Sequence, residues 1–262
     1  MLFLRAQLLA GVTHGFTVRE GGVSAGPWAS LNLSDSVGDD PAAVQENLRR
    51  LQDEADLERP IATARQVHGD RILAARGSGL VEVLPPSEPA QDASSEVAAK
   101  GEPGDGVLAL EPGAAAGVRV ADCVPILLYD PDNGVAAAVH SGWRGTRLGI
   151  AARAVRALQH AAGSDPSRIV AAIGPSIGAC CYEVSPELGA IFRALFGAAA
   201  VVEGPKPHLD LRAAIALSLR AAGLAQDRIE QVGGCTSCDA GAYFSHRRDQ
   251  GRTGRHLAFI SV

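Results

Sequence analysis

Lysine is nearly missing from this chain. It occurs only at Lys100 and Lys206, so arginine carries almost all the positive charge. With 24 Lys and Arg against 29 Asp and Glu, the formal net charge is −5. The basic residues are scattered, apart from Arg247, Arg248, Arg252 and Arg255. No broad nucleic-acid face is therefore expected. Long apolar runs are missing too: none approaches the roughly 20 residues that span a bilayer. The opening Met1-Leu2-Phe3-Leu4-Arg5 lacks the charged start and long apolar stretch of an export signal. A cytoplasmic protein with no membrane partner is the expectation. The five cysteines are an odd count, which fits no closed disulfide framework. Reduced thiols, free to bind metal or to react, are expected instead. Compact metal motifs are absent, and none of the seven histidines forms a His-x-His pair.

What is present suits one layered domain. The chain has 262 residues, of which 47% are apolar and 20% charged, enough to bury a core without staples. Asp39-Asp40-Pro41 predicts a helix start, with Val44, Leu48 and Leu51 on one face. Further helices are predicted from Ser185-Pro186-Glu187 to Gly197, from Asp210 to Gly223, and from Thr146 to Gly163. Short apolar runs predict strands at Val12–Val18, Ile61–Val67, Val118–Ala121, Val124–Tyr129, Val135–Val139, Ile169–Ile173 and Leu257–Ser261. Interleaved strands and helices, with hairpins among them, point to an α/β (α+β) fold of mixed sheets flanked by helices. Residues 85–106 are rich in Pro, Ser, Glu, Ala and Gly and read as a long, flexible surface loop.

Three segments carry metal-binding residue types at strand ends: Arg65-Gln66-Val67-His68-Gly69-Asp70, Ala121-Asp122-Cys123-Val124-Pro125, and His140-Ser141-Gly142-Trp143-Arg144-Gly145. A strand end is a rigid mount with a free exit. Imidazole with thiolate suits zinc, or copper where copper is offered. Spacing alone does not join the three. A lone His or Cys is more often a satisfied or buried residue than a ligand.

These segments, with Ile173-Gly174-Pro175-Ser176-Ile177-Gly178-Ala179-Cys180-Cys181-Tyr182-Glu183-Val184 and Phe244-Ser245-His246-Arg247-Arg248-Asp249, resemble the laccase-domain purine nucleoside phosphorylase family. It is also called the multicopper polyphenol oxidoreductase family, and one branch is known as peptidoglycan editing factor. His14-Gly15-Phe16-Thr17, Arg19-Glu20-Gly21-Gly22-Val23-Ser24 and Leu31-Asn32-Leu33 are similar to it as well, so the resemblance runs in order from about residue 12 to 260. It implies a layered α/β sandwich with His68, Cys123 and His140 as metal ligands. It also implies phosphorolysis of adenosine, inosine, guanosine and methylthioadenosine, with adenosine deamination as a second activity. Two departures stand out: Ser245-His246-Arg247-Arg248 replaces the usual Ser-Tyr-Arg-Arg, and Cys235-Thr236-Ser237-Cys238 adds a cysteine.

Phosphorolysis needs an anion site, for which arginine's planar fork is suited. Arg19, Arg65, Arg144 and Arg247 lie in the motif segments, and Gly142–Gly145 is expected to open a helix. Cys123 and His140 are the catalytic candidates, with Asp122, if the strand has ended before it, or Glu183 as a carboxylate for deamination. Cys180-Cys181 is expected to pack, and Cys235 and Cys238 show no second pair with which to hold a structural zinc. Competing readings are a copper polyphenol oxidase, a cysteine or zinc amidase on cell-wall precursors with His140 as base, and a scaffold that retains a metal. A full multicopper oxidase would consume more histidines than the seven present.

Overall fold

Residues 2–77, 79–88 and 101–262 are described by the computed structural model. Their elements in chain order are β1 (Phe3–Leu4), β2 (Thr13–Thr17), α1 (Pro41–Ala55), β3 (Ile61–Ala62), β4 (Ile72–Arg76), β5 (Gly79–Leu84) and β6 (Gly106–Ala109). There follow β7 (Ala115–Val120), β8 (Val124–Asp130), β9 (Val135–Ser141), α2 (Trp143–Arg147), α3 (Ile150–Ala162) and β10 (Val170–Ile173). The chain ends with α4 (Pro186–Phe196), β11 (Val201–Val202), β12 (His208–Leu209), α5 (Leu211–Ala221), β13 (Ile229–Gln231) and β14 (His256–Ser261). A seven-stranded mixed sheet runs β13-β10-β8-β9-β6-β4-β5, and a five-stranded one runs β1-β2-β14-β7-β3.

Apolar side chains on alternate positions seal the layers. Leu73, Val107, Leu127, Ala136 and Ala138 of the larger sheet pack on Phe16, Ala116, Val118, Ala258 and Ile260 of the smaller. The larger sheet's other face buries Leu108, Ile126, Leu128, Ala137 and Val139 against Ala154, Val155 and Leu158 of α3 and Ala214, Ile215 and Leu219 of α5. The smaller sheet's outer face is covered through Leu51 and Ala55 of α1, which meet Phe3, Leu257 and Phe259. The order is helix, sheet, sheet, helix. The expected α/β class with mixed sheets holds.

Most elements fall where the sequence places them. Asp40 caps α1 by accepting from the Ala42 N–H, with Pro41 in the first turn. Asp130 turns β8 into β9 by accepting the N–H groups of Asp132 and Asn133. Two expectations change. The helix expected from Thr146 to Gly163 is two pieces, because Gly149 adopts a left-handed φ of 74° between α2 and α3. The strand expected over Ile61–Val67 stops at Ala62, and Arg65 then bridges to Pro103. Of the loop expected at 85–106, residues 89–100 lie outside the described residues. Its last part is tied into the fold: Gly104 N–H donates to the Arg65 carbonyl, and Gly106 opens β6.

Candidate metal centre

Sheet register brings the ligand segments to one end of the seven-stranded sheet. β8 and β9 pair antiparallel with Pro125 opposite His140, and β6 pairs with β9 with Gly106 opposite Val139. The start of β6, the start of β8 and the end of β9 therefore meet. His68 arrives on the link after β3. One ligand atom each from His68, Cys123 and His140 lies within 4.8 Å of the others. Cys123 Sγ is 3.9 Å from His68 Nε2. The two imidazoles meet edge to face, with centroids 4.8 Å apart. Two imidazoles and a thiolate make a three-donor set that suits zinc with a fourth position open.

Asp105, inside the segment expected to be a loop, organises this cluster. It is 1% exposed, and its Oδ1 lies 2.7 Å from His140 Nδ1. The carboxylate also accepts the N–H groups of Val67, His68 and Gly69 at 3.2, 3.0 and 2.8 Å. Those bonds hold His68 at a φ of 57°, left-handed backbone that a non-glycine residue seldom adopts. Gln66 fixes the same link, its side-chain amide pairing with the N–H and carbonyl of Arg119 at 2.7 Å each. Gly142 leaves the space the cluster needs: a Cβ there would lie 3.1 Å from both Cys123 Sγ and His68 Cδ2.

The electrostatics follow from this packing. Burial opposes ionisation of Cys123, but His140 and His68 outweigh it and push the thiol down to about 6. Burial likewise disfavours the His140 imidazolium, yet the Cys123 thiolate and Asp105 push that ring up to about 10. Burial would also raise the Asp105 carboxyl, but His140, Gly69 N–H and His68 hold it below the usual carboxylate range. Without a metal the thiolate of Cys123 is thus favoured by a protonated His140, and binding of a cation would release that proton.

The other expected site residues divide. Both oxygens of Asp122 are engaged, Oδ1 by Thr236 Oγ1 and Oδ2 by the Arg247 N–H, each at 2.6 Å. Asp122 lies between β7 and β8 with a φ of 84°, so the strand has ended before it. Its carboxylate ties down the Thr236 and Arg247 segments, which is a positioning task. Arg247 stacks over Tyr182 at 5.3 Å and donates to the Glu183 carbonyl. Arg19 donates to the carbonyls of Ala29 and Ala240 and lies over the Phe244 ring, so it braces loops. The Arg65 main chain joins the Glu102–Gly104 segment. Arg144 lies over Trp143 at 5.1 Å. It lines a cavity of about 310 Å³ that also meets His68, Asp70, Trp143, Arg147 and Leu148.

Asp105, Tyr182 and Thr236 are absent from the expected set. Asp105 had a signal, the Gly104-Asp105-Gly106 punctuation before the apolar Val107-Leu108-Ala109. Thr236 and Tyr182 join the site only through long-range contacts.

Comparison with known proteins shows the family and the fold. Residues 13–262 match the family model described as multi-copper polyphenol oxidoreductase laccase. A protein of Geobacillus stearothermophilus named purine nucleoside phosphorylase YlmD is 40% identical over 267 residues, covering 96% of this chain and 90% of its own. A purine nucleoside phosphorylase of Deinococcus radiodurans is 38% identical, covering 99% of this chain and 92% of its own. The crystal structure of the Geobacillus stearothermophilus YlmD superposes with a TM-score of 0.84 at 37% identity, covering 99% of this chain and 98% of that one. No helix among the described residues is long and apolar enough to cross a membrane.

Proposed function

The chain belongs to the multi-copper polyphenol oxidoreductase laccase family, and from that premise we propose that it is a zinc-dependent purine nucleoside phosphorylase acting in the cytoplasm. Its substrates are phosphate and the nucleosides adenosine, inosine, guanosine and methylthioadenosine. The names of the relatives support the activity. The observation that carries it is the His68–Cys123–His140 donor set, whose His68 also lines the cavity that holds Arg144.

In phosphorolysis, phosphate attacks the anomeric carbon of the sugar. The bond from that carbon to the purine nitrogen breaks, and its electron pair leaves on the base. His68, Cys123 and His140 would hold the zinc, which would supply Lewis-acid charge to the reaction. Arg144 binds the phosphate through charge-assisted hydrogen bonds. Arg247 and Arg65 are further anion contacts, whereas Arg19 is committed to its carbonyls and to Phe244. Asp105 keeps a proton on His140 Nδ1, which leaves Nε2 as the ligand atom.

Zinc is favoured over copper as the resident ion. Among the described residues only two groups of three or more potential ligands occur, and the second contains no histidine. A polyphenol oxidase reaction is then a consequence of loading copper into the zinc site. Adenosine deamination is at most a side activity on this reading, because the carboxylate it needs to move protons, Asp122, has both oxygens already bonded. Metal-analysed protein is incubated with adenosine, with and without phosphate. Adenine and ribose 1-phosphate, formed only with phosphate, support phosphorolysis. Inosine formed without phosphate reports deamination. Hydrolysis of a muropeptide precursor, with neither of these, would replace the proposal with an amidase.

A further inference from the structure

Four cysteines away from the His68–Cys123–His140 site converge on one place. Cys180 and Cys181 follow β10, and Cys235 and Cys238 follow β13. These strands are parallel neighbours, with Ile173 opposite Gln231, so both turns leave the same end of the sheet. The turns are joined by main-chain bonds: Val232 N–H donates to the Ile173 carbonyl at 2.9 Å, and Thr236 N–H to the Ser176 carbonyl at 3.0 Å. Cys238 Sγ lies 3.5 Å from Cys180 Sγ and 3.4 Å from Cys181 Sγ. All four sulfurs fall within 4.8 Å of one another.

The arrangement corrects two expectations. Cys180 is exposed and Cys181 half-buried, so neither is a core-packing residue. Spacing offers Cys235 and Cys238 no second pair, but the β10–β13 register supplies one from a distant turn. Sulfurs held about 2.3 Å from one tetrahedral zinc stand about 3.8 Å apart, whereas a disulfide requires about 2.05 Å. The separations here resemble the first. The Gly178 N–H donates to Cys235 Sγ at 3.2 Å, and the N–H groups of Ser237 and Cys238 face the same sulfur. Such donors stabilise a thiolate. Gly178 allows this approach, since a Cβ there would meet Cys180 Sγ at 3.3 Å and Cys235 Cβ at 3.4 Å.

We propose that Cys180, Cys181, Cys235 and Cys238 form a second metal centre, a tetrathiolate site for zinc(II) that clips the two turns together. Four thiolates leave no open coordination position, so the centre is structural. On binding, the four Cys–SH groups lose their protons to solvent, four Zn–S bonds form, and no electron is transferred. The clip stands one residue from two groups beside the first site. Thr236, after Cys235, donates to Asp122. Tyr182, after Cys181, lies beneath Arg247.

The test is elemental analysis of the full chain, purified under reducing conditions and loaded with zinc. Two zinc ions per chain are expected. The Cys235→Ser/Cys238→Ser variant should bind half as much, and His140→Ala should also keep one. Cobalt(II) replacing zinc should give intense thiolate charge-transfer absorption in wild type and in His140→Ala. The single variant Cys238→Ser, at an exposed position, provides the same readout with the least disturbance of folding. Loss of metal from this centre should lower the thermal midpoint. Overturning results are no zinc in His140→Ala, full zinc in the double variant, or a non-reduced intact mass short by the hydrogens of a disulfide. Activity is not the readout, so failure of the phosphorylase reading leaves this test intact.

Discussion

Asp105 lies 2.7 Å from Nδ1 of His140 while accepting the N–H of His68 at 3.0 Å. One buried carboxylate thus sets the tautomer of one histidine and the backbone of another. Such partners of metal-bound imidazoles govern affinity because they fix ring orientation before the ion arrives.

Asp105→Asn should therefore weaken zinc binding by about 10–100-fold. The amide keeps the volume of the carboxylate, but its NH₂ faces groups that are themselves donors. Competition with a chromophoric chelator measures the change at the His68–Cys123–His140 site, read in a background lacking Cys235 and Cys238. Unchanged affinity would remove Asp105 from the metal site.

Parts of this arrangement are legible in the sequence. β8 and β9 stand out because apolar runs are bounded by Asp122-Cys123 and Asp130-Pro131, where turn residues accumulate. β6 is nearly hidden: its four residues follow a segment rich in Pro, Gly, Ser and Glu, and only the Gly104-Asp105-Gly106 punctuation marks where that segment gives way to an interior strand between β9 and β4. That is why Asp105 escapes notice. β4, β5 and β13 are equally unremarkable, being short or Ala-rich or mostly exposed. His68, Cys123 and His140 are individually ordinary. Only the chain-wide resemblance joins them, because their proximity is made by strand register. The four-cysteine cluster depends on the same long-range register, and no local spacing encodes it.

Gly142→Ala tests the tightness of the first site. The added methyl would sit 3.1 Å from Cys123 Sγ and from His68 Cδ2, and both ligands would have to shift. Reduced zinc occupancy and reduced turnover are expected, with a thermal midpoint near wild type. Gly134→Ala is a suitable comparison, since its φ of 61° strains the backbone but no atom lies within 4 Å. It should lose about 1–2 kcal/mol of stability and keep its zinc.

Arg144→Ala should raise the KM for phosphate by about 10–100-fold, the range set by losing a charged hydrogen bond worth about 1.5–3 kcal/mol. Zinc content should not change, because Arg144 lines the cavity without contributing to the ligand set. Arg144→Lys should recover part of the loss, since it restores the charge without the paired donors. Initial rates at varied phosphate decide the matter, and an unchanged KM would move the anion site to Arg247 or Arg65.

His256 predicts an acid sensitivity separate from the metal. Its ring is 4% exposed, and Nε2 accepts the Phe244 N–H at 2.8 Å. Burial, reinforced by Arg19, Arg248 and Arg255, pushes it down to about 3 from an ordinary value of 6.5. The native ring therefore stays neutral while the unfolded chain takes up a proton below about pH 6.5. Because the unfolded state binds more protons, stability falls with falling pH across that window. The contribution is complete above about 6.5 and gone near 3, on the order of several kcal/mol in total. His14, also lowered chiefly by burial, adds to the same slope. His256→Gln retains an acceptor for Phe244 but cannot titrate. Urea midpoints from about pH 7 to about pH 4, with chelator present to remove metal effects, should decline less steeply in the variant than in wild type. Parallel declines would mean that His256 is protonated in the native protein.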